Sequence, residues 1–374
     1  MLRKLLATAV APIVLLGSGV ASAAAPVTDC GNRDTPFSAA SPLVDVLLSD
    51  QAKAVVEKVI PGKIAAMPPL FSGTTPPTFA AILDVKSAAM FLGTDAAKIA
   101  EIDAGLRTVP VTDADRVKRC ARFDNDVPAL SRAPGKINVL VFEKINGFKD
   151  TPSVDAAHAA LIAMADRKGW ALAFTDKGGA FNAKTLGQFD AVLWNNISGD
   201  VLTVSQRAAF KGWLEAGGAF VGVHGSAGDP VYFWDWYPDT LLGARFVGHP
   251  RGKQFQEARI AVESAHPLAK GLPAEWRMTD EWYSFRSSPR LAGATPVLML
   301  DESTYEPNDP QMPGLVMGAD HPLAWTNCIG KGRMFYSAIG HRPETYSEPN
   351  HLHLLENAIT WAATDKAACP AKAR

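Results

Sequence analysis

The sequence predicts an α/β domain on a parallel sheet, preceded by a small helical unit, and three observations carry the prediction. Residues 136–142 (KINVLVF) form a short, β-branched apolar run of the kind buried on both faces of a parallel sheet. Runs of this type then alternate with helical patterns. Residues 26–135 instead combine many alanines and prolines with short helical patterns and lack strand alternation.

In the helical unit, Ser41-Pro42 opens a helix carrying Val44, Leu47 and Leu48, and Asp50 begins another through Ala54, Val55 and Val59 that Pro61-Gly62 ends. A proline-rich turn (Pro68, Pro69, Pro76, Pro77) leads to helices near 79–91 and 95–106, and Ala133-Pro134-Gly135 marks the boundary. Strand one is 136–142. Ser153 is expected to cap a helix whose apolar face holds Ala157, Leu161, Ile162 and Ala165 and which stops at Gly169. Strands two and three follow at 170–174 and 191–194. Thr203 and Gln206 make a capping box for a helix with Phe210, Trp213 and Leu214, and strand four is 219–223. This βαβαβ order predicts a flavodoxin-like, right-handed sheet with helices on both faces. A later strand spans 333–339, residues 225–330 read as a long insertion of short strands and loops, and 366–374 form a tail.

Arg3 and Lys4 precede an apolar run at 5–16 and the small residues Ala21-Ser22-Ala23-Ala24-Ala25, the pattern of a secretory signal peptide over 1–25. The run is shorter than the roughly 20 residues a membrane span needs, so the expectation is a periplasmic or secreted protein without a membrane anchor. Four cysteines allow three pairings, Cys30–Cys120 with Cys328–Cys369 among them. None forms a close-spaced pair, which argues against thiol chemistry. A net charge of −1 leaves no basic footprint for nucleic acid and points to a small, weakly charged or neutral partner.

In parallel sheets ligands lie beyond the carboxyl ends of the strands, which selects Asn146-Gly147-Phe148, Asn195-Asn196, His224 and Gly340-His341. Gly222-Val223-His224-Gly225 has the spacing of a nucleophile elbow with His224 in the nucleophile's place. An imidazole there suits a general base or a metal ligand; the plain alternative is a histidine bonded to a neighbouring loop. His249, Glu281, His321 and His341 fall in Gly/Pro-punctuated loops or at strand ends. Together with His224 they supply the imidazoles and carboxylate of a Zn or Mn site, although no spacing matches a short metal motif. Glu281 alternatively works as acid or base beside Tyr283 or His341. Trp234, Trp236 and Trp282 are candidates for the pocket wall. His158 reads as a satisfied, partly buried residue, and His351 and His353 as surface or capping residues.

The same stretch of about 230 residues resembles the ThuA-like family. The marks are Gly147-Phe148, Asn195-Asn196 with Gly199-Asp200, the His224 elbow, and Gly243-Ala244-Arg245-Phe246-Val247-Gly248-His249-Pro250. They continue with His266-Pro267, Asp280-Glu281-Trp282-Tyr283, Asp320-His321-Pro322-Leu323-Ala324-Trp325 and Gly340-His341. The resemblance implies a fold similar to the class I glutamine amidotransferases over 136–365. In those enzymes a cysteine occupies the elbow; here His224 does, which excludes amidotransfer through a thioester. It further implies a link to trehalose utilisation and to sugars or keto-sugars. One departure stands out: the family commonly has Gly-Phe-Arg-His after strand one, and this chain has Gly147-Phe148-Lys149-Asp150.

The expectation is therefore a hydrolase, lyase or isomerase acting on a carbohydrate through His224, Glu281 and His341, with a divalent metal (Zn or Mn) as candidate cofactor. Asn195, Asn196, His249, Tyr283, His321, Trp234, Trp236 and Trp282 are expected to bind the substrate. The alternative is a noncatalytic sugar-binding module.

Overall fold

The computed structural model describes residues 26–367 and Cys369; the expected signal peptide lies outside the described residues. Helices α1 (Leu43–Leu48), α2 (Asp50–Val59), α3 (Ala96–Leu106) and α4 (Asp113–Cys120) form the N-terminal unit. It has its own core, in which Phe37, Val44, Val56, Ile102 and Leu106 are buried. A Cys30–Cys120 disulfide closes it, and a Cys328–Cys369 disulfide ties down the end of the chain.

The main body is built on strands β1 (Asn138–Phe142), β2 (Ala171–Thr175), β3 (Ala191–Asn195), β4 (Ala219–Val223), β5 (Phe246–Gly248) and β6 (Phe255–Val262). They are followed by β7 (Glu275–Glu281), β8 (Ser284–Phe285), β9 (Thr295–Asp301), β10 (Pro322–Ile329) and β11 (Gly332–Ser337). Nine of them join in the order β2-β1-β3-β4-β11-β10-β9-β6-β7, and β5 pairs with β8 apart. From β2 to β11 the neighbours are parallel. Every residue of β1, β3 and β4 is buried, whereas the edge strand β2 is mostly half-exposed.

The parallel sheet expected from the sequence continues beyond β11 as an antiparallel wing. The reason is local: only Gly330 and Lys331 separate β10 from β11, and so short a connection joins antiparallel strands alone. Gly330 takes the positive φ, 64°, that the tight turn needs.

Helices α5 (Thr151–Lys168), α6 (Val204–Glu215) and α7 (Pro349–Thr364) pack on the body. The Thr203/Gln206 capping box forms as the sequence indicates, and Gly169 ends α5 in the left-handed conformation. Ser153 does not cap α5, because the helix starts three residues earlier than such a cap would place it, at Thr151 after Asp150. Its hydroxyl instead bonds the Asp150 carboxylate and the carbonyl of His341. Ile162 faces solvent rather than the core. His158 is half-exposed and meets Glu143 at 3.0 Å. His351, expected at the surface, is fully buried with Nδ1 donating to the Thr345 carbonyl, since the first turn of α7 is folded under the preceding loop.

The helical unit is docked onto the loop that follows β1. Thr78 N–H donates to the Asn146 carbonyl at 3.0 Å. Ile82 presses so close to Gly147 that a Cβ there would lie 2.5 Å from its side chain, which explains the glycine. Further along, the Asp124 carboxylate pairs with Lys144 and accepts the amides of Gly178 and Gly179. No helix among the described residues is long and apolar enough to cross a membrane.

Candidate functional site

The carboxyl ends of the central parallel strands meet at a cleft of about 1210 Å³, its open mouth included. At the end of β4 the chain turns sharply, and His224 takes φ 36°, a conformation uncommon outside glycine and concentrated at functional sites. Gly340 opposite permits this, since a Cβ on it would come 3.0 Å from the Cβ of His224.

His224 Nδ1 lies 2.7 Å from the carbonyl oxygen of Ala338. A carbonyl only accepts, so Nδ1 carries the hydrogen, and Nε2 is left to face Glu281 and His341. The Tyr283 ring stacks on the imidazole at 4.2 Å, and the Tyr336 hydroxyl donates to the His224 carbonyl. Peptide and ring are therefore both fixed.

Glu281 ends β7 and is 2% exposed. Its Oε2 is 3.1 Å from His341 Nδ1 and 3.5 Å from His224 Nε2, and the two imidazole nitrogens are 3.2 Å apart. Its Oε1 accepts from Gln254 Nε2 at 2.6 Å and faces His249 Nε2 at 3.2 Å. Burial works to raise the Glu281 carboxyl, but the flanking imidazoles of His224 and His341 and the nearness of His249 outweigh it and lower it overall. Burial pulls His341 down, and its bond and charge attraction to Glu281, with Asp150 adding to them, raise it overall. His249, which retains access to the cleft, is lowered chiefly by burial. Asp280 is raised by complete burial, against the pull of His224 and of the amides it accepts.

Asp280 is a brace rather than part of the cleft wall: it accepts Gly340 N–H at 2.7 Å and Arg342 N–H at 3.1 Å, fixing His341 between them. Asp150 stands 3.7 Å from His341 Nε2.

One donor atom each from His224, Glu281 and His341 lies within 4.8 Å of the others. Metal–ligand bonds of about 2.0–2.1 Å at tetrahedral angles space donors roughly 3.3 Å apart, and the three edges here, 3.1, 3.2 and 3.5 Å, bracket that value. Two imidazoles and a carboxylate form a donor set used for divalent transition metals. The Ala338 carbonyl that orients His224 is the kind of outer partner such a ligand needs.

Of the residues singled out from the sequence, His249, Glu281, Tyr283 and His341 line the cleft, and His224 is buried against them. The other candidate binding residues, Asn195, Asn196, His321, Trp234, Trp236 and Trp282, do not line it. Asn195 is fully buried and donates to Glu143 and the Val154 carbonyl. Asn196 braces the elbow by accepting Gly225 N–H and donating to Asn195 and Tyr346. His321 is fully buried between Glu302 and the Tyr283 carbonyl, so it positions the strand behind the site. Trp282 is also fully buried and donates to the Gln256 carbonyl, because side chains alternate along the chain and Glu281 takes the cleft side. Trp234 and Trp236 stack on each other, and Trp234 lines a separate, smaller cavity.

The cleft also holds Phe148, selected with Asn146 and Gly147 by the strand-end rule, and residues that sequence reasoning gave no role. Phe148 lies 6.4 Å from His341, nearly parallel to it, and had a signal in the Gly147-Phe148 mark. Gln254 and the N-terminal Phe79 and Phe91 had none.

A family model described as "ThuA: Trehalose utilisation" matches residues 138–362. A ThuA-like protein from Bacteroides uniformis is 24% identical with a TM-score of 0.53, covering 63% of this chain and 95% of that one. Another from Parabacteroides merdae is 20% identical with a TM-score of 0.45, covering 64% and 93%. Among curated proteins no match was found. The first structural likeness speaks to the fold alone, and the family match spans most of the α/β body. The chain belongs to the ThuA family.

Proposed function

We propose that this chain is an exported enzyme that processes a carbohydrate or keto-sugar at a centre formed by His224, Glu281 and His341. The single observation that carries the reading is the triangle of donor atoms 3.1, 3.2 and 3.5 Å apart at the carboxyl end of the sheet. A divalent ion bound there would polarise a sugar carbonyl or hydroxyl or activate water. The chain's own residues supply the remainder. The Ala338 carbonyl keeps His224 in the Nδ1–H tautomer, and Gln254 holds Glu281 in place. His249 is the residue suited to move a proton: it faces the cleft and contacts Glu281 Oε1 with a ring nitrogen. Two disulfides support the exported setting, since such bonds persist in oxidising compartments.

Asp150 in the family histidine's place favours a second reading, a sugar-binding module without turnover. The deciding experiment is metal analysis of the purified protein beside its His224→Ala variant, followed by screening of keto-sugars and glycosides for binding and turnover. Near-stoichiometric metal lost in the variant, with turnover of a screened sugar, is the expected result. Metal absent from both would overturn the metal centre, and sugar binding without turnover would establish the module.

A further inference from the structure

The cleft has two chemically different halves. One holds Glu281, His341, His249 and Gln254. The other is built largely by the N-terminal unit, through Phe79, Ile82, Leu83, Met90 and Phe91, and is joined to the first by Phe148. A series of rings connects them: Phe91 stacks on Phe71 at 4.2 Å, Phe71 meets Phe79 at 5.0 Å, Phe79 meets Phe148 at 5.0 Å, and Phe148 faces His341. We propose that the N-terminal unit forms a subsite for an aryl group carried by the substrate, so that the aglycone of an aryl glycoside lies on the Phe79–Phe91 wall while its sugar meets the polar centre. The assignment of the sugar to the polar end rests on the function proposed above; the aryl subsite rests on the wall.

Three observations carry it. The wall is apolar surface left partly open: Phe79, Phe91 and Phe148 are each half-buried, and Met90 at the rim is 55% exposed. Its polar side chain from the N-terminal unit, Ser87, is already engaged, accepting Asp84 N–H at 3.0 Å and donating to the Asp84 carbonyl at 3.1 Å. A sugar ring on this wall would leave hydroxyls unpaired, whereas a flat apolar ring loses nothing and gains offset stacking. The wall is also preformed, since Thr78 and Ile82 lock the unit onto Asn146 and Gly147. Arg251 reaches from the α/β body to lie 5.9 Å over the Phe91 ring at the mouth. Sites of this kind, mostly apolar with a few polar groups at one end, take ligands of matching polarity.

The test uses the full-length protein and two probes, 4-nitrophenol and methyl β-glucoside, with binding followed by saturation-transfer NMR and titration calorimetry. The aryl subsite predicts that 4-nitrophenol binds the wild type, and that Phe79→Ala and Met90→Asp each weaken it about tenfold while His224→Ala leaves it nearly unchanged. Met90 is exposed, so its variant reports even if Phe79→Ala misfolds. No binding of 4-nitrophenol to the wild type, or equal binding in a folded Met90→Asp variant and the wild type, would overturn the subsite. If 4-nitrophenol binds as expected and neither methyl β-glucoside nor the keto-sugars and glycosides screened above bind, the subsite stands and the carbohydrate reading falls.

Discussion

Asp280 and Glu281 are consecutive in β7, fully or almost fully buried, and their carboxyls are shifted in opposite directions. Burial raises Asp280, which spends its oxygens on the Gly340 and Arg342 amides; Glu281 is pulled down by the imidazoles it faces. Alternation along the strand makes one a brace and the other part of the centre.

Asp280→Asn should therefore act on structure first. An amide can accept only one of the two N–H groups with its oxygen and turns an NH2 toward the other, a loss of about 1–3 kcal/mol. Urea unfolding should show that loss together with a lower affinity for any ligand of the cleft, because His341 loses its brace. Stability equal to wild type would contradict the role.

His321→Gln and His249→Gln should separate positioning from contact. His321 touches Glu302 and the Tyr283 carbonyl, deep below the surface. Its loss should lower unfolding stability by about 1–3 kcal/mol. His249 is 26% exposed in its side chain and faces the cleft, so its variant should keep stability and lose turnover, by on the order of 10²-fold if it transfers a proton. The reverse pattern would exchange their roles.

Asp229 should give stability a pH dependence. Burial raises its carboxyl from 3.8 to about 7, outweighing hydrogen bonds from Ser198 and Gly199. The folded chain thus keeps a proton that the unfolded chain has released between those values. This contribution is complete below about pH 4 and is lost as the pH rises through 7, with a ceiling on the order of 4 kcal/mol. Asp229→Asn lacks the effect, so its stability relative to wild type should improve between pH 5 and pH 8. Parallel urea midpoints for the two proteins across that range would dispose of the idea.

The Cys30–Cys120 bond spans a sequence separation of 90 residues. Loop-closure entropy for such a length is worth about 4–5 kcal/mol in the chain-entropy account. The double Cys→Ser variant should unfold its N-terminal unit first and lose the Phe79–Phe91 wall, which limited proteolysis would reveal as cleavage before residue 135. Unchanged protease resistance would show that packing alone holds the unit.

The sequence by itself determined the parts governed by local rules. The apolar run at 136–142, the Thr203/Gln206 box and the Gly169 stop place β1, α6 and the end of α5 because strand periodicity and helix capping act within a few residues. The elbow spacing marked His224 for the same reason. What tertiary structure alone decided is which of the marked residues meet. Nothing local distinguishes His249, in the cleft, from His321, buried behind it, or Trp282 from Glu281, until β7 has a register and a face. The docking of the N-terminal unit likewise rests on long-range contacts, Thr78 with Asn146 and Ile82 with Gly147, made by segments more than sixty residues apart. Such contacts depend on the surfaces that folding brings together, and those surfaces exist only once the chain has folded.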